Sequence, residues 1–357
     1  VTRILFTGGG TAGHVTPNIA LIESLSELSW ECHYVGSKKG IERELIAPFS
    51  IPYHGIYSGK LRRYFSWRNF IDPLFILLGL IQSLWICVSI RPNIVFSKGG
   101  FVAVPVVVAA WLCRIPVICH ESDITPGLAN KLCLPFSRYL CMNFPETRQY
   151  LPKSFDPGRV RVTGSPLRAS LRHPDPERGR VFLGFDLSKP ILLVVGGSLG
   201  AQVLNQCIWQ SLNELCARYQ VVHLVGAGNL NSDCSSKGYR QFEYLNDEYG
   251  ECLCAADLVV SRAGANSIFE LLSFKKPHLL IPLTAAASRG DQLVNARIMG
   301  EAGMSLVLPE AELDTSRLIN ELTSLENSSR WVAAMASFPD VDAVPVIVSL
   351  IQHTAHS

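Results

Sequence analysis

The sequence predicts an α/β protein made of two Rossmann-like, doubly wound parallel-sheet domains facing a cleft. Three observations carry this expectation. Short apolar runs without polar alternation recur along the chain, as strands buried on both faces require. A strand–glycine–helix unit occurs twice, as "ILFTGGGTAGHVTPNIAL" (residues 4–21) and "ILLVVGGSLGAQVLNQCI" (residues 191–208). The chain has 357 residues, 48% hydrophobic and 17% charged, which is ample for two folded cores and excludes a disordered chain.

Each half adds further strand–turn units. The first half has "CHYVGS", "NIVFSKGG" and "PVICHES", and the second has "VVHLVGAG", "LVVSRAG" and "HLLIPL". Between the halves, residues 152–190 are rich in proline, glycine and charge, which places a boundary near Gly164. The expected domains are residues 1–164 and 165–341. A terminal helix over about 342–357, apolar in "AVPVIVSLIQ", is expected to cross back onto the first domain.

Net charge is only +2, yet residues 1–164 hold 17 of the 32 Lys+Arg and 10 of the 30 Asp+Glu. A basic first half suits an anionic partner. The 11 cysteines form no CxxC pair and sit mostly in apolar runs, so they read as buried thiols in a reducing compartment. The chain opens directly on a strand pattern, and the default expectation is the cytoplasm.

Residues 73–90, "PLFILLGLIQSLWICVSI", carry no charge, and Gly79, Gln82, Ser83 and Ser89 make only a thin polar stripe. Upstream, Lys60, Arg62, Arg63 and Arg68 alternate with Tyr64, Phe65, Trp67 and Phe70. That mixture fits an anionic membrane surface touched from one side, with Arg62, Arg63, Trp67, Phe70, Leu74 and Phe75 as contacts. A spanning helix is disfavoured because strands of one sheet flank the segment. Nucleic acid is not expected, since the aromatic residues cluster with an apolar helix and not along a basic groove.

Gly8, Gly10 and Gly13 match G-x-G-x-x-G between a strand and a helix, where backbone N–H groups can approach an anion. A dinucleotide site would need an acidic residue at the end of the next strand, but Ser37, Lys38 and Lys39 stand there. NAD is therefore disfavoured, and NADP survives only through the lysines. The bland alternative is a tight turn without ligand. His14 follows the loop at a helix start, where the dipole favours a neutral ring that can act as a base; a capping histidine is the alternative. "VVGGSLGAQVLN" offers Ser198 at the second glycine turn, and "SRAGANSIFELL" places Glu270 where a carboxylate can take ribose hydroxyls. "CHESDITPGLANK" collects His120, Glu121, Asp123 and Asn130, and "SKGGFVAVP" gives a third glycine turn beside Lys98. Loop capping explains such polar groups equally well. The lone D-x-D, Asp340 to Asp342, reads as a helix start, and neither a metal nor a cofactor is expected.

The ordered set "GGGTAGHVTP", "SKGGFVAVP", "HESDITPGLAN", "TGSPLR", "GGSLGAQ", "SRAGANSIFE" and "SRGDQLVNA" resembles the MurG N-acetylglucosaminyltransferases, nearest the Gram-positive type. The resemblance covers essentially the whole chain. It implies a GT-B fold and inverting transfer of GlcNAc from UDP-GlcNAc to the MurNAc 4-hydroxyl of lipid I. The product would be lipid II, a peptidoglycan precursor, made without metal at the cytoplasmic face of the membrane. Contacts with cell-wall synthesis machinery would follow. By motif, the donor would meet Thr11, Ala12, Gly13, Arg168, Ser198, Leu245, Ala265, Asn266, Ser267, Glu270 and Gln292. The acceptor would meet Gly9, Gly10, Gly99, Gly100, Phe101 and Glu121. His14 is the first candidate base and Asp123 the second. Many relatives have asparagine at the position of Asp123, so its role stays open between base and acceptor contact. Rival readings are a UDP-GlcNAc 2-epimerase, a membrane-associated UDP-sugar sensor without turnover, and an NADP-dependent dehydrogenase.

Overall fold

The computed structural model describes the chain apart from residues 60–71, 173, 186–188, 198–199, 286–289, 328 and 339–342. The expected contacts Arg62, Arg63, Trp67 and Phe70, the diphosphate candidate Ser198, and the D-x-D lie outside the described residues.

The chain forms two compact units, Val1–Arg168 with Val341–Ser357, and Ala169–Asp340. The first unit keeps the segment after its last strand because Thr163 and Gly164 both donate their N–H groups to the Met142 carbonyl. His120 adds a bond to the Gly164 carbonyl at 2.9 Å.

In chain order the first unit has β1 (Arg3–Thr7), α1 (Thr16–Glu27), β2 (Glu31–Ser37), α2 (Ile41–Ile46), β3 (Tyr53–Ile56), α3 (Asp72–Ile90) and β4 (Ile94–Ser97). It continues with α4 (Ala103–Leu112), β5 (Val117–Glu121), α5 (Leu128–Cys133), β6 (Tyr139–Met142) and β7 (Val160–Val162). The sheet order is β3-β2-β1-β4-β5-β6-β7, all parallel. Strand side chains alternate between faces. Ile4 and Phe6 of β1 pack on α1, and Leu5 joins the opposite core with Val106 and Val107 of α4.

The second unit has α6 (Pro176–Leu183), β8 (Ile191–Val195), α7 (Gln202–Gln210), α8 (Leu212–Arg218), β9 (Gln220–Leu224), β10 (Tyr239–Phe242) and α9 (Glu248–Ala255). Then come β11 (Leu258–Ser261), α10 (Ala265–Ser273), β12 (His278–Leu280), α11 (Asp291–Glu301), β13 (Leu306–Val307), α12 (Thr315–Glu326) and α13 (Ser329–Met335). Its parallel sheet runs β10-β9-β8-β11-β12-β13. The last helix, α14 (Ala343–Ala355), returns to the first unit, where Ala343, Val344, Ile347, Val348 and Ile351 join the core under β1 and α1.

In both sheets the order reverses at the first strand of the unit, between β1 and β4 and between β8 and β11. Ligands of open α/β sheets bind beyond the strand C-termini at such switch points. The topology thus selects the turn after β1 with the turn after β4, and the turn after β8 with the turn after β11.

Helix α3 is oriented against its polar stripe. Gly79 and Ser83 face inward, with Ser83 Oγ donating to the Gly79 carbonyl at 2.7 Å, and Gln82 Oε1 accepts the Tyr57 N–H at 2.8 Å. A Cβ at Gly79 would collide with the Tyr57 carbonyl. The outward face is apolar: Leu74, Leu77, Leu78, Ile81, Trp85 at 71% exposure and Val88 at 61%. Phe75 is half-buried, its ring stacked on Tyr57 with centroids 5.6 Å apart. No helix among the described residues is long and apolar enough to cross a membrane.

Candidate active site

In the first unit the two glycine turns at the switch point interlock. Gly10, Gly99 and Gly100 have φ of 89°, 90° and 83°, a region that favours glycine. Gly100 lies against the backbone of Gly9, so a Cβ there would overlap the Gly9 carbonyl oxygen. Buried Glu42 sits beneath the first turn. Its Oε1 accepts from Ser37 N and Oγ at 2.7 and 2.6 Å, and its Oε2 faces the Gly10 N–H at 3.4 Å. Tyr34 braces the same turn by donating its hydroxyl to the Gly8 carbonyl at 2.8 Å.

Thr11 is exposed, and Ala12, Gly13 and His14 follow in a short turn of 3-10 helix before α1. His14 Nδ1 lies 2.9 Å from Thr11 Oγ1. With the proton on Nδ1 donated to Thr11, Nε2 keeps its lone pair for a substrate proton. Histidine, loop and helix start thus stand as the sequence suggests.

The turn after β5 holds a denser polar set. Glu121 is 4% exposed, and its carboxylate is occupied: Oε1 accepts from Asp123 N at 3.0 Å, and Oε2 from Gly127 N at 2.9 Å and Asn130 Nδ2 at 2.8 Å. Expected to face an acceptor, Glu121 instead closes its own loop. Asp123 is half-buried in that loop, and its carbonyl accepts from Thr147 Oγ1 at 3.4 Å. Phe101, also half-buried, starts the descent into α4.

Lys98 was noted in the sequence only as a neighbour of glycines. In the structure it is 1% exposed and donates to His120 Nδ1 at 2.9 Å and to Ser122 Oγ. His120 Nε2 donates to the Gly164 carbonyl, so the ring is neutral with Nδ1 as acceptor. Burial first, then the Lys98 charge, holds the His120 pKa well below the usual range. Burial pushes Lys98 down to about 8, against the raising influence of Glu121, Asp123 and Cys141.

In the second unit Gly197 and Gly200 have φ of 88° and 74° in the turn after β8. Ala265, Asn266, Ser267 and Glu270 lie on α10, which begins just after β11. Glu270 Oε2 accepts the hydroxyl of buried Tyr249 at 3.0 Å, a partner on α9 that no sequence motif announced. Gln292, in the first turn of α11, accepts the Leu283 N–H at 3.0 Å, which fixes it to the turn after β12. Buried Arg262 pairs with Glu310 and bonds the Ile281 carbonyl at 3.1 Å, bracing the same end of the sheet. Leu245 is buried after β10, and Arg168 is half-buried at the end of the first unit.

Two parallel sheets with glycine turns at their switch points, taken with the family matches, place the chain in a class, the two-domain GT-B glycosyltransferases. Residues 4–139 match the glycosyltransferase family 28 N-terminal domain, and residues 191–349 match its C-terminal domain. Two curated relatives carry the name UDP-N-acetylglucosamine--N-acetylmuramyl-(pentapeptide) pyrophosphoryl-undecaprenol N-acetylglucosamine transferase. That of Clostridium perfringens (strain SM101) is 46% identical over 356 residues, covering 99% of each chain. That of Lachnoclostridium phytofermentans is 49% identical over 352 residues, covering 98% of each. The crystal structure of Acinetobacter baumannii MurG superposes with a TM-score of 0.75 at 22% identity, over 99% of this chain and 100% of that one. The chain belongs to the MurG family of N-acetylglucosaminyltransferases.

Proposed function

We propose that this chain transfers GlcNAc from UDP-GlcNAc to the MurNAc 4-hydroxyl of undecaprenyl-linked lipid I, giving lipid II and UDP with inversion at C1. The observation that carries the reading is 46–49% identity, over nearly the full length, to enzymes named for that transfer. The donor is assigned to the second unit: Ala265, Asn266, Ser267 and Glu270 at the start of α10 for the nucleoside, Leu245 for uracil and Gln292 for the sugar. Ser198 and Arg168 are assigned to the diphosphate, and Thr11, Ala12 and Gly13 to the donor. The acceptor is assigned to the turns at Gly9–Gly10 and Gly99–Phe101.

The chemistry is one in-line displacement. The acceptor hydroxyl attacks C1, His14 Nε2 takes its proton, and UDP departs with the bonding pair. Asp123 is the second candidate for the proton. Negative charge grows on the departing diphosphate, where N–H groups of a helix start and a guanidinium stabilise it. Labelled UDP-GlcNAc, incubated with and without a lipid I analogue, tests the reading. Label entering lipid only with acceptor is expected. UDP release or sugar isomerisation without acceptor would instead support the epimerase, and tight UDP binding without turnover the sensor.

Attachment to the cytoplasmic face of the membrane belongs to the same proposal. Six large apolar side chains face outward from α3, and their placement supports a one-leaflet contact. Burying a tryptophan and its neighbours is worth several kcal/mol, roughly 25 cal/mol per Å². Replacing Trp85 and Ile81 by glutamate should release the protein from anionic vesicles in a flotation assay. Transfer to a water-soluble acceptor should stay within about twofold, since the helix face holds none of the site residues. Unchanged flotation would exclude this face as the contact.

A further inference from the structure

Lys98 is not among the residues that the motifs assign to either substrate. It nevertheless occupies the centre of the switch point in the first unit. Its backbone N–H bonds the Thr7 carbonyl at 2.9 Å, and a Cβ on Gly8 would lie 3.1 Å from its own Cβ. Its ammonium reaches across to the turn after β5, to His120 and Ser122. One residue, through its backbone and its side chain, therefore ties together the turns after β1, β4 and β5, and through His120 the Gly164 segment.

The charge is as informative as the connections. A buried ammonium is costly unless an anion compensates it. The direct partners of Lys98 are a neutral imidazole and a hydroxyl. The nearest carboxylates, Glu121 first and then Asp123, act on Lys98 through space and offset part of the cost of its burial, while the Glu121 oxygens accept from Asp123 N, Gly127 N and Asn130. A cation on the residue that precedes Gly99 and packs its Cβ beside Gly8 adds positive potential where an anion would meet these turns.

We propose that Lys98 is a positioning residue of the acceptor half: it holds the loop of Ser122 and Asp123 through His120 and Ser122, and its charge strengthens the hold on a diphosphate-linked acceptor at the glycine turns. The inference rests on the transferase reading above and adds a residue to it. The groups facing Lys98 are His120 and Glu121 of β5, Asp123 of the following loop and Cys141 of β6. Protonated Lys98 is the acceptor-binding form. The acceptor KM should therefore be low below about pH 8 and rise as pH rises through that value.

The test measures KM for a lipid I analogue and for UDP-GlcNAc, from about pH 7 to 9, in the unmodified chain and in Lys98→Met and Ser122→Ala. Methionine keeps the length of the side chain and removes its charge. Loss of a buried charged partner predicts an acceptor KM raised about tenfold or more in Lys98→Met. The donor KM should stay within twofold, and the rise with pH should disappear. Ser122→Ala should raise the acceptor KM less and keep the pH dependence. An unchanged acceptor KM in active Lys98→Met overturns the proposal, as does an equal rise in both KM values. If Lys98→Met does not fold, an acceptor KM in active Ser122→Ala equal to that of the unmodified chain overturns it. Absence of any transfer by the unmodified chain would overturn the transferase reading, and this proposal with it.

Discussion

His14→Ala is expected to lower kcat for transfer by roughly 10²–10⁴-fold, the range that a positioned general base supplies. The affinity for UDP-GlcNAc should hardly change, because the imidazole acts on the acceptor hydroxyl. The expectation comes from geometry. The Thr11 hydroxyl lies 2.9 Å from Nδ1, and with the proton on Nδ1 the basic nitrogen of the ring is Nε2. Thr11→Val should show a weaker version of the defect, about tenfold, since the tautomer loses its fixing partner while the base remains. Asp123→Asn separates the two candidates. If His14 is the base, the amide should cost little beyond a change in acceptor KM. If Asp123 is the base, the ranking reverses, with Asp123→Asn crippling turnover and His14→Ala mild. Pre-steady-state measurement of the chemical step keeps product release from hiding either effect.

The parts of this site that were legible in the sequence are those that depend on local chemistry. A glycine needed at positive φ, as at Gly10 or Gly100, leaves a mark because another residue there is strained. Parallel strands buried on both faces leave uninterrupted apolar runs, and Ile191–Val195 is one. Long-range pairings leave no such mark. Nothing in the segment of Glu42 announces that its carboxylate underlies Gly10, 32 residues away in the chain. The resemblance implied an acceptor contact for Glu121, while its own loop left capping open, because an acidic residue in a polar loop has the same spelling whether it faces a ligand or its own backbone. The structure turns it onto Gly127 and Asn130. Helix α3 shows the same limit for orientation. Its polar stripe was visible, but only the approach of Tyr57 turns Gly79, Gln82 and Ser83 of that stripe inward, with Ser89 exposed and the apolar side outward. Lys98 stood in plain view beside two glycines; its burial and its reach to the turn after β5 required the fold.

Gly100→Ala is expected to be the most damaging single methyl in the first unit. Two penalties add. The residue sits at φ 83°, which costs an L-residue about 1–2 kcal/mol. The new Cβ would also overlap the Gly9 carbonyl oxygen and lie 3.1 Å from its carbon and 3.2 Å from its nitrogen. Those atoms are backbone and cannot rotate aside, so the two turns must separate. Gly9 cannot retreat freely, because a Cβ on it would already lie 2.7 Å from the Glu42 carboxylate that Ser37 holds. The combined cost, roughly 2–4 kcal/mol, should lower the melting temperature of the first unit by about 5–10 °C. Transfer should fall by more than the loss of folded protein explains, since both acceptor-side turns are displaced. Gly10→Ala is the control. It shares the positive φ of 89°, but its Cβ would meet nothing within 4 Å. Backbone strain alone should then cost about 1–2 kcal/mol. Equal melting temperatures for the two variants would show that the turns are not interlocked. A large gap, with Gly100→Ala the lower, would show that the backbone of one turn sets the position of the other.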